Sequence, residues 1–347
     1  MFKFKKSFFI YFILFAMILI ALNSPKILSS VQDSLALCFA TVIPSLFPFM
    51  VLSSLFVNLA DGNSFRITGA IAKKLLGIRP AATTAFICGL ICGYPIGAKC
   101  VCELYTAKKI SASEAESLIA YSNNSGPLFV IGAAGVGIFG SLKAGVLLYI
   151  IQIFSALTSA MLLKRHTCYP VMRATAQKSN AKDFTDCVCM AVMNVLNVCG
   201  FIVFFAVINV LLEPVLSIMP DFLSCICSCI LEITNGISKI GVQSYPIHIK
   251  LAMASFALGW SGFSVHMQVK SLIKNTGLSM KKYYITRLFI GALSAMITYF
   301  VACEFDTIAM FVCTKRAVFG VAIFLLCALV GFLAQKKRGR KLPLVLI

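Results

Sequence analysis

The chain predicts an all-α polytopic membrane protein, with eight transmembrane helices and two re-entrant hairpins arranged as inverted repeats. Three observations carry that expectation. Of 347 residues, 60% are hydrophobic and 12% charged, with a mean hydropathy of +0.93; a soluble domain carries far less apolar surface. Apolar runs long enough to cross a bilayer recur from end to end. In each half, polar and helix-breaking residues interrupt these runs. The first half has Gly93-Tyr94-Pro95-Ile96-Gly97 and Asn123-Asn124-Ser125-Gly126-Pro127; the second has Glu232-Ile233-Thr234-Asn235-Gly236 and Gly259-Trp260-Ser261-Gly262. Irregular backbone at membrane depth needs protein or a watery cavity to satisfy its polar groups, and paired interruptions in two halves point to a transporter's binding site. The runs are continuously apolar rather than alternating, which excludes a membrane β-barrel.

Charge sets the orientation. The net charge is +19, from 31 basic and 12 acidic residues. The basic residues gather at 3–6, 66–79, 99–109, 164–182, 270–287 and 336–341, beside apolar runs, as cytoplasmic loops do. The excess therefore reports topology and a lipid-bilayer partner, not nucleic acid. A multi-pass cell-membrane protein with both termini in the cytoplasm is expected. The 15 cysteines fall mostly in apolar segments, without a Cys-x-x-Cys pair, and the three histidines form no matching set. They read as small hydrophobes rather than metal ligands.

The elements follow in order. Residues 1–34 are expected to be an anchor helix, Phe8–Leu22, and an outer loop. The basic start resembles a signal peptide, but its cleavage pattern is poor, so the helix is retained. Residues 35–163 form the first repeat. It opens with a crossing at Leu35–Leu59. Ile67, Ile71, Leu75 and Ile78 then mark an amphipathic surface helix over Arg66–Arg79. Ala81–Ala98 is read as a re-entrant hairpin turning at Tyr94-Pro95, with Gly89, Gly93 and Gly97 allowing close helix approach. A crossing over Ala115–Phe139 is broken at Asn123–Pro127, and Leu142–Leu163 returns to a cytoplasmic linker, 164–186.

The second repeat, 187–303, has the same plan. Cys187–Leu212 crosses outward to a short outer segment, Glu213–Asp221. A hairpin spans Phe222–Gly241. A crossing over Leu251–Val269 is broken at Gly259–Gly262, and Tyr283–Cys303 crosses again. Residues 304–347 hold the last helix, Ala317–Ala334, and a basic tail. One repeat starts outside and the other inside, so the two are expected to be related by an in-plane pseudo-two-fold.

The candidate site follows from the interruptions. Glu232 is read as the one acidic residue inside a membrane segment, where a charge requires a partner, a cavity or a function. Tyr94, Asn123, Asn124, Ser125, Thr234, Asn235 and Ser261 supply polar atoms for a small polar solute or a small cation, with His266 and Gln268 just beyond the second break. Packed kinks with internally satisfied hydrogen bonds are the plainer alternative. Gly93, Pro95, Gly97, Gly126, Pro127, Gly236 and Gly262 are the hairpin and hinge positions. The Gly132–Gly140 series lacks a preceding strand and is packing surface, not a dinucleotide loop. Gly259-Trp260-Ser261-Gly262 also matches the Gly-x-Ser-Gly of rhomboid proteases. His266, five residues on, would point away along the helix, so no enzyme is expected. No nucleotide motif or cofactor is expected; a proton or sodium gradient would supply the energy. A homo-oligomer is left open.

Cys92-Gly93-Tyr94-Pro95-Ile96-Gly97-Ala98-Lys99, Ser113-Glu114-Ala115-Glu116, Ser122–Phe129, Glu232–Gly236 and Gly262–Gln268 together resemble the sporulation integral membrane protein YlbJ family. The resemblance covers roughly residues 30–335. It implies a Gate, or nucleoside-recognition, domain like that of concentrative nucleoside transporters, with a midplane site between inverted repeats. It also implies a role in endospore formation in a spore-forming bacterium, either in transport or as a scaffold of the spore envelope. The first tip, Gly-Tyr-Pro-Ile-Gly, lacks the Gln or Glu that nucleoside transporters carry there, which argues against a nucleoside substrate.

Overall fold

A computed structural model describes residues 2–59, 72, 76–163 and 183–303. The expected surface helix Arg66–Arg79 falls mostly outside the described residues. The linker up to residue 182, the last crossing Ala317–Ala334 and the basic tail lie wholly outside them.

Every regular element among the described residues is helical. Helix α1, Phe2–Leu22, exposes aromatic and aliphatic side chains around its circumference from Phe8 onward, as a lipid-facing helix does. Helix α2, Ser24–Leu37, runs through a π-wound turn at Cys38–Val42 into α3, Ile43–Leu59. Residues 23–34 are therefore not the expected outer loop. Pro25 stands in the first turn, where its fixed φ favours helix and its missing N–H costs nothing.

Helices α4, Pro80–Ile91, and α5, Ile96–Thr106, form the first hairpin. At about 1.5 Å per residue, the 12 residues of α4 reach roughly 18 Å, short of a ~30 Å hydrocarbon core. The second arm runs past the expected end at Ala98. Lys99 is not an exposed flanking residue: it is buried in α5, and its ammonium donates to the Met50 carbonyl (2.9 Å) and to Ser54 Oγ. Helix α6, Ala112–Ser122, starts under a Ser111 cap that accepts from the Glu114 N–H at 3.3 Å. The chain then breaks, and resumes as a π-wound helix at Leu128–Ile138 and as α7, Leu142–Leu163.

The second half repeats this order of elements. Helix α8, Phe184–Leu216, begins with a capping box between Asp183 and Asp186. It continues through Pro214, so the expected outer segment at Glu213 is its last turn. Helices α9, Asp221–Leu231, and α10, Ile233–Gly241, form the second hairpin. Helices α11, Ile247–Trp260, and α12, Gly262–Ile273, are divided at Ser261, and α13, Lys281–Ala302, completes the half. Four stretches among the described residues are long and apolar enough to cross a membrane: Ser24–Val57, Leu142–Leu163, Phe184–Leu216 and Lys281–Ala302. Among the described residues the chain is all-helical, as a polytopic membrane protein is.

Two apolar cores organise the packing. One gathers side chains of α3–α6, α8 and α12. The other gathers the π-wound helix, α7 and α9–α11. Tyr94 packs against both. Helix α13 lies along α11, where Gly259 and Gly291 meet too closely for any side chain.

Candidate functional site

Each hairpin tip seats on the break of its own half. Gly93 has φ +82°, and a side chain there would run into the backbone of Ser125 and Gly126. Gly262 has φ +75°, and a side chain there would meet Cys229, Leu231 and Ile233 at the second tip. A left-handed backbone in tight contact with another chain segment requires glycine at both places. Gly97 and Gly89 close the first hairpin against the Ser122 carbonyl, and Gly236 closes the second against Cys229. The carbonyls at the ends of the first arms also find matching partners. Tyr149 donates to Leu90 O at 2.8 Å, and the Trp260 indole to Ile230 O at 3.3 Å.

The two tips share a cavity of about 490 Å³, inside the usual small-molecule range of roughly 300–1,000 Å³. Gly93 and Tyr94 reach it from the first tip, and Glu232, Ile233 and Thr234 from the second. Gly126 and Pro127 come from the first break, and Ser264 and Gln268 from α12. Most of the remaining wall is apolar, from α2, α3, α8 and the π-wound helix. Glu232 is only 2% exposed. Its carboxylate caps α10, accepting from the Asn235 N–H at 2.8 Å, where the helix dipole favours negative charge. The Gln268 carboxamide oxygen is buried and has no partner among the described residues.

The other expected site residues do other work. Asn123, Asn124 and Ser125 are fully buried and do not line the cavity. Asn123 donates to the Tyr283 hydroxyl at 3.1 Å and Asn124 to Tyr121 O at 2.8 Å, while Ser125 O accepts from Gln152 at 3.1 Å. Ser261 has a left-handed backbone and accepts from Arg287. The His266 Nε2–H donates to the Trp260 carbonyl at 2.8 Å, and the ring packs among Trp260, Phe263, Tyr283 and Tyr284. The first break is packed, but its hydrogen bonds are only partly satisfied: Asn123 Oδ1 and Ser125 Oγ are buried without a partner among the described residues.

One charged side chain needs correction. Arg287, assigned above to a cytoplasmic basic cluster, is fully buried in α13. It donates to Asn124 Oδ1 at 3.2 Å, to Leu258 O at 3.2 Å and to Ser261 Oγ at 2.7 Å. Two further acidic side chains have partners on other elements. Glu103 lies on α5 and accepts from Ser54 at 3.2 Å. Glu114 is buried at the start of α6 and pairs with Arg79 at 2.7 Å. Arg287 was misread because a charged residue near a predicted boundary looks interfacial until its partners on other elements are known. For Arg287, the available signal was its place one turn into an apolar helix, after Tyr283.

No family model matches the chain. No solved structure matches it either. Among curated proteins it is similar to the sporulation integral membrane protein YlbJ of Bacillus subtilis (strain 168). The two are 29% identical over 308 residues, covering 76% of this chain and 75% of that protein. The chain is a YlbJ relative. That similarity spans both hairpins and both breaks, and it supports the family resemblance carried by their motifs.

Proposed function

We propose that this YlbJ relative is a sporulation membrane protein that acts as an ion-gradient-driven transporter or permease of a small polar solute. It has no catalytic step of its own. The observation that carries the reading is the convergence of both hairpin tips on one cavity, with Glu232 and Gln268 among its lining residues. A buried carboxylate at membrane depth is expensive and is retained for function. A scaffold of the spore envelope needs neither the cavity nor the carboxylate. The repeated order of long helix, hairpin, interrupted helix and long helix fits two inverted Gate-type repeats about a central site. Termini in the cytoplasm and a coupling proton or sodium ion complete the reading.

Metabolite profiling of spores tests it. A deletion strain, the complemented strain and a strain carrying Glu232→Gln are compared. A small solute depleted in the deletion and Glu232→Gln spores, and restored by the native chain, is the expected result. Spores of identical solute content in all three strains would sink the proposal.

A further inference from the structure

The segment that sequence assigned to an outer loop holds a second cavity. Lys26, Ser30, Asp33 and Ser34 recur on one face of α2 at helical spacing. That face borders a recess of about 510 Å³, whose opposite wall includes Glu213 of α8 and Ser238 of α10. Most residues lining the recess are polar or charged, unlike those of the cavity between the tips. The two adjoin: Leu37, Ile202 and Thr234 line both. At the mouth, Lys26 and Glu213 form an exposed 3.2 Å ion pair, of a kind worth only about 0–1 kcal/mol and therefore easily opened. At the inner end stand Thr234 and Asn235, next to the Glu232 cap.

We infer that this recess is an aqueous vestibule through which a small polar solute reaches Thr234 and Glu232 from the outer face of the membrane. A polar stripe on a membrane helix is stable where it borders water rather than lipid. The stripe on α2 therefore has a reason to be helical and polar at once. The inference rests on the transport reading above and adds the route and the side of entry.

Thiol labelling tests the water. Ser30→Cys and Ser238→Cys are introduced into a chain whose native cysteines have been replaced, and labelled with a membrane-impermeant sulfonatoethyl methanethiosulfonate. Phe204→Cys is the control; Phe204 is 59% exposed on α8 and belongs to no recess wall. Reagent on the outer side should modify the two recess thiols at least about tenfold faster than the control, because only a hydrated thiol ionises readily. If the cysteine-free chain does not insert, the same variants are made in the native background and read by mass spectrometry of the altered peptide. Rates equal to the control, or labelling only from the cytoplasmic side, overturn the vestibule.

Plugging tests the route. Ser30→Trp and Ser238→Trp should lower heat-resistant spore counts at least tenfold at normal membrane abundance, and Phe204→Trp should not. Solute accumulation that needs Glu232 but ignores both recess tryptophans overturns the vestibule and leaves the transport reading intact. Identical solute content in deletion and complemented spores removes the transport reading, and the vestibule with it.

Discussion

Arg287 donates a 2.7 Å hydrogen bond to the Ser261 hydroxyl, at the residue where the second interrupted helix changes direction. The same guanidinium reaches Asn124 of the first interruption at 3.2 Å. One fully buried cation on α13 therefore ties together the two breaks, which lie in different halves of the chain. Its planar fork supplies several donors at fixed angles, which a lysine ammonium cannot reproduce.

Arg287→Ala should be among the most damaging single changes. It leaves Asn124 Oδ1 and Ser261 Oγ without their donor and opens a void, at a combined cost of about 3 kcal/mol or more. Arg287→Lys should recover only part of that loss. Thermal unfolding in nanodiscs checks this; equal stability of native protein and Arg287→Ala would refute it.

Glu232 separates structure from function. Glu232→Gln keeps an oxygen that can accept from the Asn235 N–H, so folding should survive while spore heat resistance falls. Glu232→Ala should in addition lose the helix cap, worth about 0.5–2 kcal/mol. A Gln variant that sporulates like the native strain would show that the charge is not used.

The hairpin seats are expected to be intolerant of any side chain. Gly93→Ala and Gly262→Ala each place a Cβ on a left-handed backbone against another segment, and should each destabilise by more than about 1 kcal/mol. Gly132→Ala meets nothing within 4 Å and is the control. Similar melting temperatures for all three would argue against tips seated on breaks.

Tyr283→Phe removes the acceptor for the Asn123 amide in a fully buried position. The expected loss is about 1–3 kcal/mol, with membrane insertion unchanged. The combination with Asn123→Leu should cost less than the sum of the two single changes, because the amide left unpaired is then absent. Strict additivity in the double-mutant cycle would contradict the contact.

Much of the chain could be read from its sequence because lipid imposes simple rules. Leu142–Leu163 has the expected ends, and both interruptions lie where Asn123–Pro127 and Gly259–Gly262 placed them. Gly93 and Gly262 were recognisable because a left-handed turn in a membrane leaves few alternatives to glycine. What could not be read depended on partners distant in sequence. Lys99 and Arg287 look like loop charges until Met50, Ser54, Asn124 and Ser261 are brought beside them. The polar start of α2 looked like a loop because its stripe faces a recess that only α8 and α10 complete. Asn123–Ser125 looked wholly like ligand groups because sequence does not show Tyr283, Gln152 and Arg287 taking up some of their hydrogen bonds.

The seating of each tip on its own half also bears on how the protein is made. Chains are inserted from the N-terminus as they are synthesised. The first hairpin finds its break by residue 127, before any of the second half has left the ribosome. The second hairpin likewise needs nothing beyond Gly262. The bonds from Arg287 to Asn124 and from Asn123 to Tyr283 require both halves, and they arrive near the end, on α13. Biogenesis is thus divided into two local closures and one late keystone. A nascent chain halted before residue 281 would carry both finished units with nothing yet joining Asn124 to Ser261.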